Sequence, residues 1–123
     1  MRPMSGMDYG LKSTHIMSDS LLSFVLEQLD SVGSLHSRPM FGAVSIYGDG
    51  VIFAMIHENQ LYFKVGADNL ADFEAAESEP FRPYGDERTM PYWTVPADIM
   101  DDHDAFVAWA RKALRGAKAA KAR

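Results

Sequence analysis

Apolar residues at Leu21, Leu22, Val25, Leu26, Leu29 and Val32 recur at the spacing that puts them on one stripe of an α-helix. Ser18 or Asp19 can cap its start and Gly33 can end it. Beyond Gly33 the period changes. Met40 to Tyr47, Val51 to His57 and Leu61 to Val65 are rich in β-branched and aromatic residues, and Gly48-Asp49-Gly50 and His57-Glu58-Asn59-Gln60 join them. Gly48-Asp49-Gly50 tolerates the positive φ of a tight hairpin, and with His57 to Gln60 as the next turn the three runs predict an antiparallel meander. Ser34 to Ser37 is then a loop, and Pro39 sits where a strand can begin without losing a ladder bond. The second run is apolar at nearly every position, as expected of a central strand buried on both faces. In the third, Leu61, Phe63 and Val65 alternate with Tyr62 and Lys64, which turns one face to water or to a partner.

The second half adds shorter elements. Asp68 to Ala76 predicts a short helix capped by Asp68, with Leu70 and Phe73 on its buried side. Pro80 to Tyr84 and Thr89 to Val95, separated by Gly85-Asp86-Glu87-Arg88, predict a hairpin whose prolines suit an edge. A last helix opens at Asp101, with Phe106, Trp109, Ala110, Ala113 and Leu114 on one stripe. Asp102 and Asp104 at its start, and Arg111, Lys112 and Arg115 near its end, complement the helix dipole. After Gly116 the Ala/Lys repetition predicts a frayed end, and Met1 to Met17 show no period. The expected organisation is a flexible leader over 1–17, one α+β domain over 18–116 and a basic tail over 117–123. Within the domain, two layers are expected: an antiparallel sheet of about five strands packed against helices.

Composition narrows the function. The chain has 123 residues and no cysteine, which removes disulfides, thiolate nucleophiles and Cys-based metal sites. No apolar run approaches the roughly 20 residues of a membrane span. Gly6, Asp8 and Gly10 interrupt the stretch a signal peptide would need, so the cytoplasm is the expected location and no membrane the expected partner. Net charge is −5, yet Arg111 to Arg123 hold six basic residues and no acid, leaving six basic against 17 acidic over the first 110 positions. An acidic body repels phosphate backbones, and only the tail residues Arg111, Lys112, Arg115, Lys118, Lys121 and Arg123 could supply contacts to nucleic acid.

Candidate chemistry is sparse. His15, His36, His57 and His103 fall in separate elements without metal-ligand spacing, and no nucleophile elbow, Walker loop or dinucleotide fingerprint occurs. Neither a metal nor a cofactor is expected. Acids at Glu74, Glu77, Glu79, Asp86 and Glu87 could pair for acid–base work but fall mostly in loops, where solvated charge is the usual explanation. Arg38 close to Gly42 is a way to hold an anion or a partner's main chain; the simpler alternative is that Arg38 pairs with a carboxylate and Gly42 marks a bulge. Phe41, Tyr62, Tyr92 and Trp93 belong to a set of aromatics that suits a core and a subunit contact better than base stacking, because few basic residues interleave with them.

Several ordered motifs carry a resemblance. Arg38-Pro39-Met40-Phe41-Gly42 leads into Tyr47-Gly48-Asp49-Gly50-Val51-Ile52-Phe53-Ala54. Leu61-Tyr62-Phe63-Lys64-Val65, Phe81 to Tyr84, Met90-Pro91-Tyr92-Trp93-Thr94-Val95-Pro96 and Trp109-Ala110 follow in order. In these the chain resembles the TfoX N-terminal domain family, the domain that opens the bacterial competence regulators called TfoX or Sxy. The resemblance covers roughly Leu21 to Leu114. It implies a two-layer α+β domain similar in architecture to secretion-chaperone-like folds, and it implies no catalytic residues. The full regulators carry a second, helical domain for which 123 residues leave no room, so the resemblance does not by itself extend to competence control.

The expected function is a non-enzymatic regulatory or protein-interaction domain that uses one sheet face or edge, with an unknown protein partner or a second copy in a homodimer. Arg38, Phe41, Gly42, Tyr62, Lys64, Tyr92 and Trp93 are its candidate contact residues. One alternative is a nucleic-acid-associated regulator using the basic tail. Another is a small enzyme or ligand-binding protein built from the Glu77 to Arg88 loop near Arg38.

Overall fold

Three two-residue turns shape the sheet in a computed structural model that describes residues 13–122. Phe41-Gly42 (φ 43° and 81°), Asp49-Gly50 (52° and 84°) and Glu58-Asn59 (50° and 62°) each hold both central residues at positive φ. That is the requirement of the hairpin turn whose twist matches the flanking strands. The turns connect β1 (Leu35–Met40), β2 (Ala43–Gly48), β3 (Val51–His57) and β4 (Gln60–Lys64). The pairs Met40/Ala43, Gly48/Val51 and His57/Gln60 close them. The pattern alone predicts a single strand from Met40 to Tyr47 after a loop. Instead the chain reverses at Phe41-Gly42, and residues 35–40 form a strand of their own. Gly42 is a turn residue, not a bulge.

Two later strands, β5 (Pro80–Phe81) and β6 (Met90–Thr94), complete a six-stranded antiparallel sheet of order β1-β2-β3-β4-β6-β5. One more strand is present than the pattern predicts, and both edges carry a proline. In a two-residue hairpin the closing pair exchanges its hydrogen bonds. The ladder then alternates, and position 39 turns its backbone outward. Pro39 therefore costs β1 no bond to β2 and removes a donor from the open edge, which discourages pairing with another chain.

The helices lie on one side. α1 (Ser13–Gln28) runs into a 3₁₀ turn (Asp30–Val32) and begins five residues before the predicted start; the rest of the expected leader lies outside the described residues. Val25 of α1, Leu29 just beyond its end, and Phe106, Ala110, Ala113 and Leu114 of α4 (His103–Ala122) pack on Ile46, Phe53, Phe63 and Leu61 from the sheet. The Phe106 ring stacks between Phe24 at 6.1 Å and Phe63 at 5.8 Å. A bulge helps β3 feed this core. Ile46 pairs with Ala54 but Tyr47 with Ile52, so Phe53 is the extra residue, and both Phe53 and Ala54 turn toward the helices, fully buried. β3 is indeed a central strand.

Local chemistry corrects several expectations. At α2 (Leu70–Ala75) the entry is organised by buried Asn69 rather than Asp68: its Oδ1 accepts from Gly66 N–H at 2.8 Å and its Nδ2 donates to the Lys64 carbonyl at 3.0 Å. Phe73 is buried there while Leu70 is exposed. A short helix, α3 (Ala97–Met100), ends at Asp101, and it is Asp102 whose Oδ1 accepts from Ala105 N–H at 3.2 Å at the start of α4. α4 does not fray after Gly116. Ala and Lys are good helix formers, Ala117 is only 3% exposed against the core, and Lys118 Nζ donates to Asp49 Oδ2 at 2.7 Å. The expected separate tail is thus the last turns of a helix as far as Ala122, and Arg123 lies outside the described residues. Among the described residues no helix is long and apolar enough to cross a membrane.

Candidate functional site

Helices cover one face of the sheet, and side-chain alternation together with register decides what the other face carries. Arg38, Ser45, Met55, Tyr62 and Thr94 stand directly opposite one another on five successive strands. His36, Tyr47 and Ile52 form a second row beside them, which Lys64 and Tyr92 continue on β4 and β6. Met40, Ala43 and His57 form a third on the other side.

This face is concave. Phe81 on β5 meets the rings of Tyr62 at 5.2 Å and His57 at 5.0 Å, although β5 is separated from the β3 strand of His57 by two intervening strands. On a flat sheet three strand spacings amount to about 14 Å, so the sheet must curl toward this side. Ser45 and Met55 form the floor, 1% and 3% exposed. Rings make the walls: His36 stacks flat on Tyr47 at 4.8 Å, and the Arg38 guanidinium lies 6.0 Å from the Tyr47 centroid. The result is a shallow trough with a buried floor and aromatic sides.

Two phenols report the environment. Burial pushes the Tyr92 hydroxyl above its ordinary pKa, and the nearby Tyr47 adds to the shift. Burial likewise raises Tyr62, with the carboxylate of Glu58 at the neighbouring hairpin tip contributing. Both stay neutral hydrogen-bonding groups at physiological pH.

The trough collects part of the candidate set. Arg38, Tyr62 and Lys64 belong to it. Tyr92 points the same way but is closed in at 7% exposure, so it supports the surface and is not an exposed anchor. Trp93 faces the opposite side, where its ring meets Phe73 at 6.4 Å, and leaves the set. Phe41 is fully exposed at the β1–β2 tip beside Gly42, next to a cavity of about 370 Å³ reached by Leu22, Val44 and Ile56. His36, Ser45, Met55 and His57 join the site unforeseen; the alternation His36-Ser37-Arg38 was the available signal, hidden by the missed turn.

Most of the chain matches one known family profile. The TfoX N-terminal domain matches residues 27–117, which include all six strands and the core-facing length of α4. The chain belongs to the TfoX N-terminal domain family. A comparison with curated proteins gives no match.

In this TfoX N-terminal domain the basic residues of α4 do not form one face. Arg111, Arg115 and Lys118 share a stripe by helical spacing, whereas Lys112 and Lys121 point elsewhere. Lys112 pairs with Asp72 at 2.8 Å and Lys118 with Asp49 at 2.7 Å, and Arg111 donates to Ser31 Oγ at 3.3 Å. The loop holding Glu87 and Arg88 connects β5 to β6 at one edge of the sheet, while Arg38 lies on β1 at the other. The TfoX N-terminal domain therefore does not bring Arg38 to that loop, whose Arg88 instead pairs with Asp86 at 2.7 Å and lies over Tyr84. Among the described residues no three His, Asp or Glu side chains are grouped to hold a metal ion.

Proposed function

We propose that this TfoX N-terminal domain is a non-enzymatic regulatory module that meets a protein partner through the concave face of its sheet opposite the helices. The observation that carries the proposal is the row Arg38, Ser45, Met55, Tyr62 and Thr94, which runs across five strands with no helix over it among the described residues. Aromatic residues and arginine are the side chains that most often anchor protein interfaces, and methionine adapts to irregular partners. The face is favoured over the edges, since Pro39 and the two-residue β5 leave little to pair with. A partner other than a second copy is favoured too. Two such faces meeting would offer no carboxylate to Arg38 or Lys64.

A tagged chain recovered from its native cells should bring a partner with it. The paired substitution Tyr62→Ala with Lys64→Glu is expected to cut that recovery at least about tenfold, the loss of one interface anchor, while the circular-dichroism spectrum stays unchanged. Undiminished recovery by the folded variant would remove the face from the interaction.

A further inference from the structure

We propose that the trough receives an acidic segment of the partner, its carboxylates pairing with Arg38 and Lys64 and its apolar side chains lying against the half-buried rings of Tyr47, Tyr62 and Phe81. This rests on the protein-interaction reading above and adds the partner's chemistry.

Charge carries the argument. The chain has 17 acidic and 12 basic residues, yet none of the strand residues facing the trough is a carboxylate. Glu58, the acid next to Tyr62, stands at a hairpin tip beyond the central row. Elsewhere Arg88, Lys112 and Lys118 each hold a carboxylate within 2.8 Å, while Arg82, Arg111, Arg115 and Lys121 hold none among the described residues. Among the described residues Arg38 and Lys64 likewise hold none. The Arg38 guanidinium lies 6.0 Å from the Tyr47 ring centroid, and its planar fork suits two-point binding of a carboxylate. A further cation adjoins, because Tyr47, Ile52, Lys64 and Lys121 border one cavity of about 340 Å³ between the sheet and the end of α4.

The floor supplies an independent sign. The Ser45 hydroxyl is 1% exposed, and its one hydrogen bond among the described residues goes to the Met40 thioether at 3.5 Å, a weak acceptor. Buried hydroxyls normally find a strong partner. Met40 is 41% exposed and unbranched, so it can swing aside and leave the hydroxyl to an incoming oxygen. A polyphosphate chain fits less well. Two lysines and one arginine give a local positive field, but the body around them is acidic and repels a long row of phosphates more than a few carboxylates.

Amide spectra of the full chain, titrated in turn with three probes, test this. The probes are a short peptide of glutamates among leucines and phenylalanines, its lysine-for-glutamate counterpart, and single-stranded oligothymidylate. The glutamate peptide should shift the amides of Arg38, Ser45, Met55 and Tyr62, more weakly as salt rises. Arg38→Gln and Arg38→Glu should each weaken that binding about tenfold or more, and Arg115→Glu on α4 should not. Equal shifts by both peptides at the trough would overturn the acidic assignment and leave protein docking standing. No shift by the glutamate peptide also overturns the assignment, while the recovery experiment judges docking separately. Shifts by oligothymidylate with none from either peptide would overturn both.

Discussion

Phe41 holds φ at 43° with its ring wholly in solvent, a combination that gives the folded chain neither backbone comfort nor packing. Bulky side chains avoid that region and asparagine tolerates it. Phe41→Asn is therefore expected to raise stability by about 0.5–1 kcal/mol in urea unfolding, and a lowered midpoint would mean that the ring packs on something. Asp49 shows the opposite economy at the next turn. The Lys118 ammonium, and after it the Ser34 N–H, hold the Asp49 carboxyl below its ordinary pKa. A carboxylate depressed in the folded state adds stability that is present above its unfolded pKa and disappears as pH falls through the folded one. Asp49→Asn keeps an acceptor for Ser34 but no charge. The stability of the natural protein relative to this variant should then fall as pH drops from neutral into and below the ordinary carboxylate range. Urea midpoints at several pH values check it, and a difference that ignores pH would refute the pairing.

α4 makes its claim as an element. Ala117 continues the stripe of Phe106, Ala110, Ala113 and Leu114 into the core, whereas Ala119 is exposed. Ala117→Glu should cost about 2–4 kcal/mol by forcing a carboxylate into packed apolar surface, while Ala119→Glu should stay within about 0.5 kcal/mol. Equal small effects would show a frayed end. The stripes of α1 and α4 are legible in the sequence because helical spacing is a local property. So are the turns at Asp49-Gly50, whose residue types favour positive φ, and at Glu58-Asn59, where polar residues interrupt two apolar runs. Phe41-Gly42 hides its turn behind a residue that rarely adopts it, and with that turn goes β1, together with His36 as a member of the site. Tyr62 and Lys64 are visible by alternation. Ser45 and Met55 are not, since only register across strands makes them the floor, and one step of parity separates Trp93 on the helical side from Tyr92 on the trough side. Composition made the end of α4 look like low complexity; burial of Ala117 is a tertiary fact.

At the scale of the molecule, helices and core occupy one side of the sheet and leave the other with rings, a buried hydroxyl and two cations, Arg38 and Lys64, that hold no carboxylate among the described residues. The family match over residues 27–117 covers all six strands and α4 as far as Ala117, so the trough is a feature of the folded domain and not of an appended segment. Its curvature follows from right-handed strand twist added to the bulge at Phe53 and to short turns that allow no slack. The most direct measurement places a photo-crosslinking amino acid at Tyr62 in the trough or at exposed Ala108 on α4, with irradiation in the native cells. The account predicts a discrete adduct with another protein from position 62 and none from position 108. An adduct from position 108 alone would contradict it.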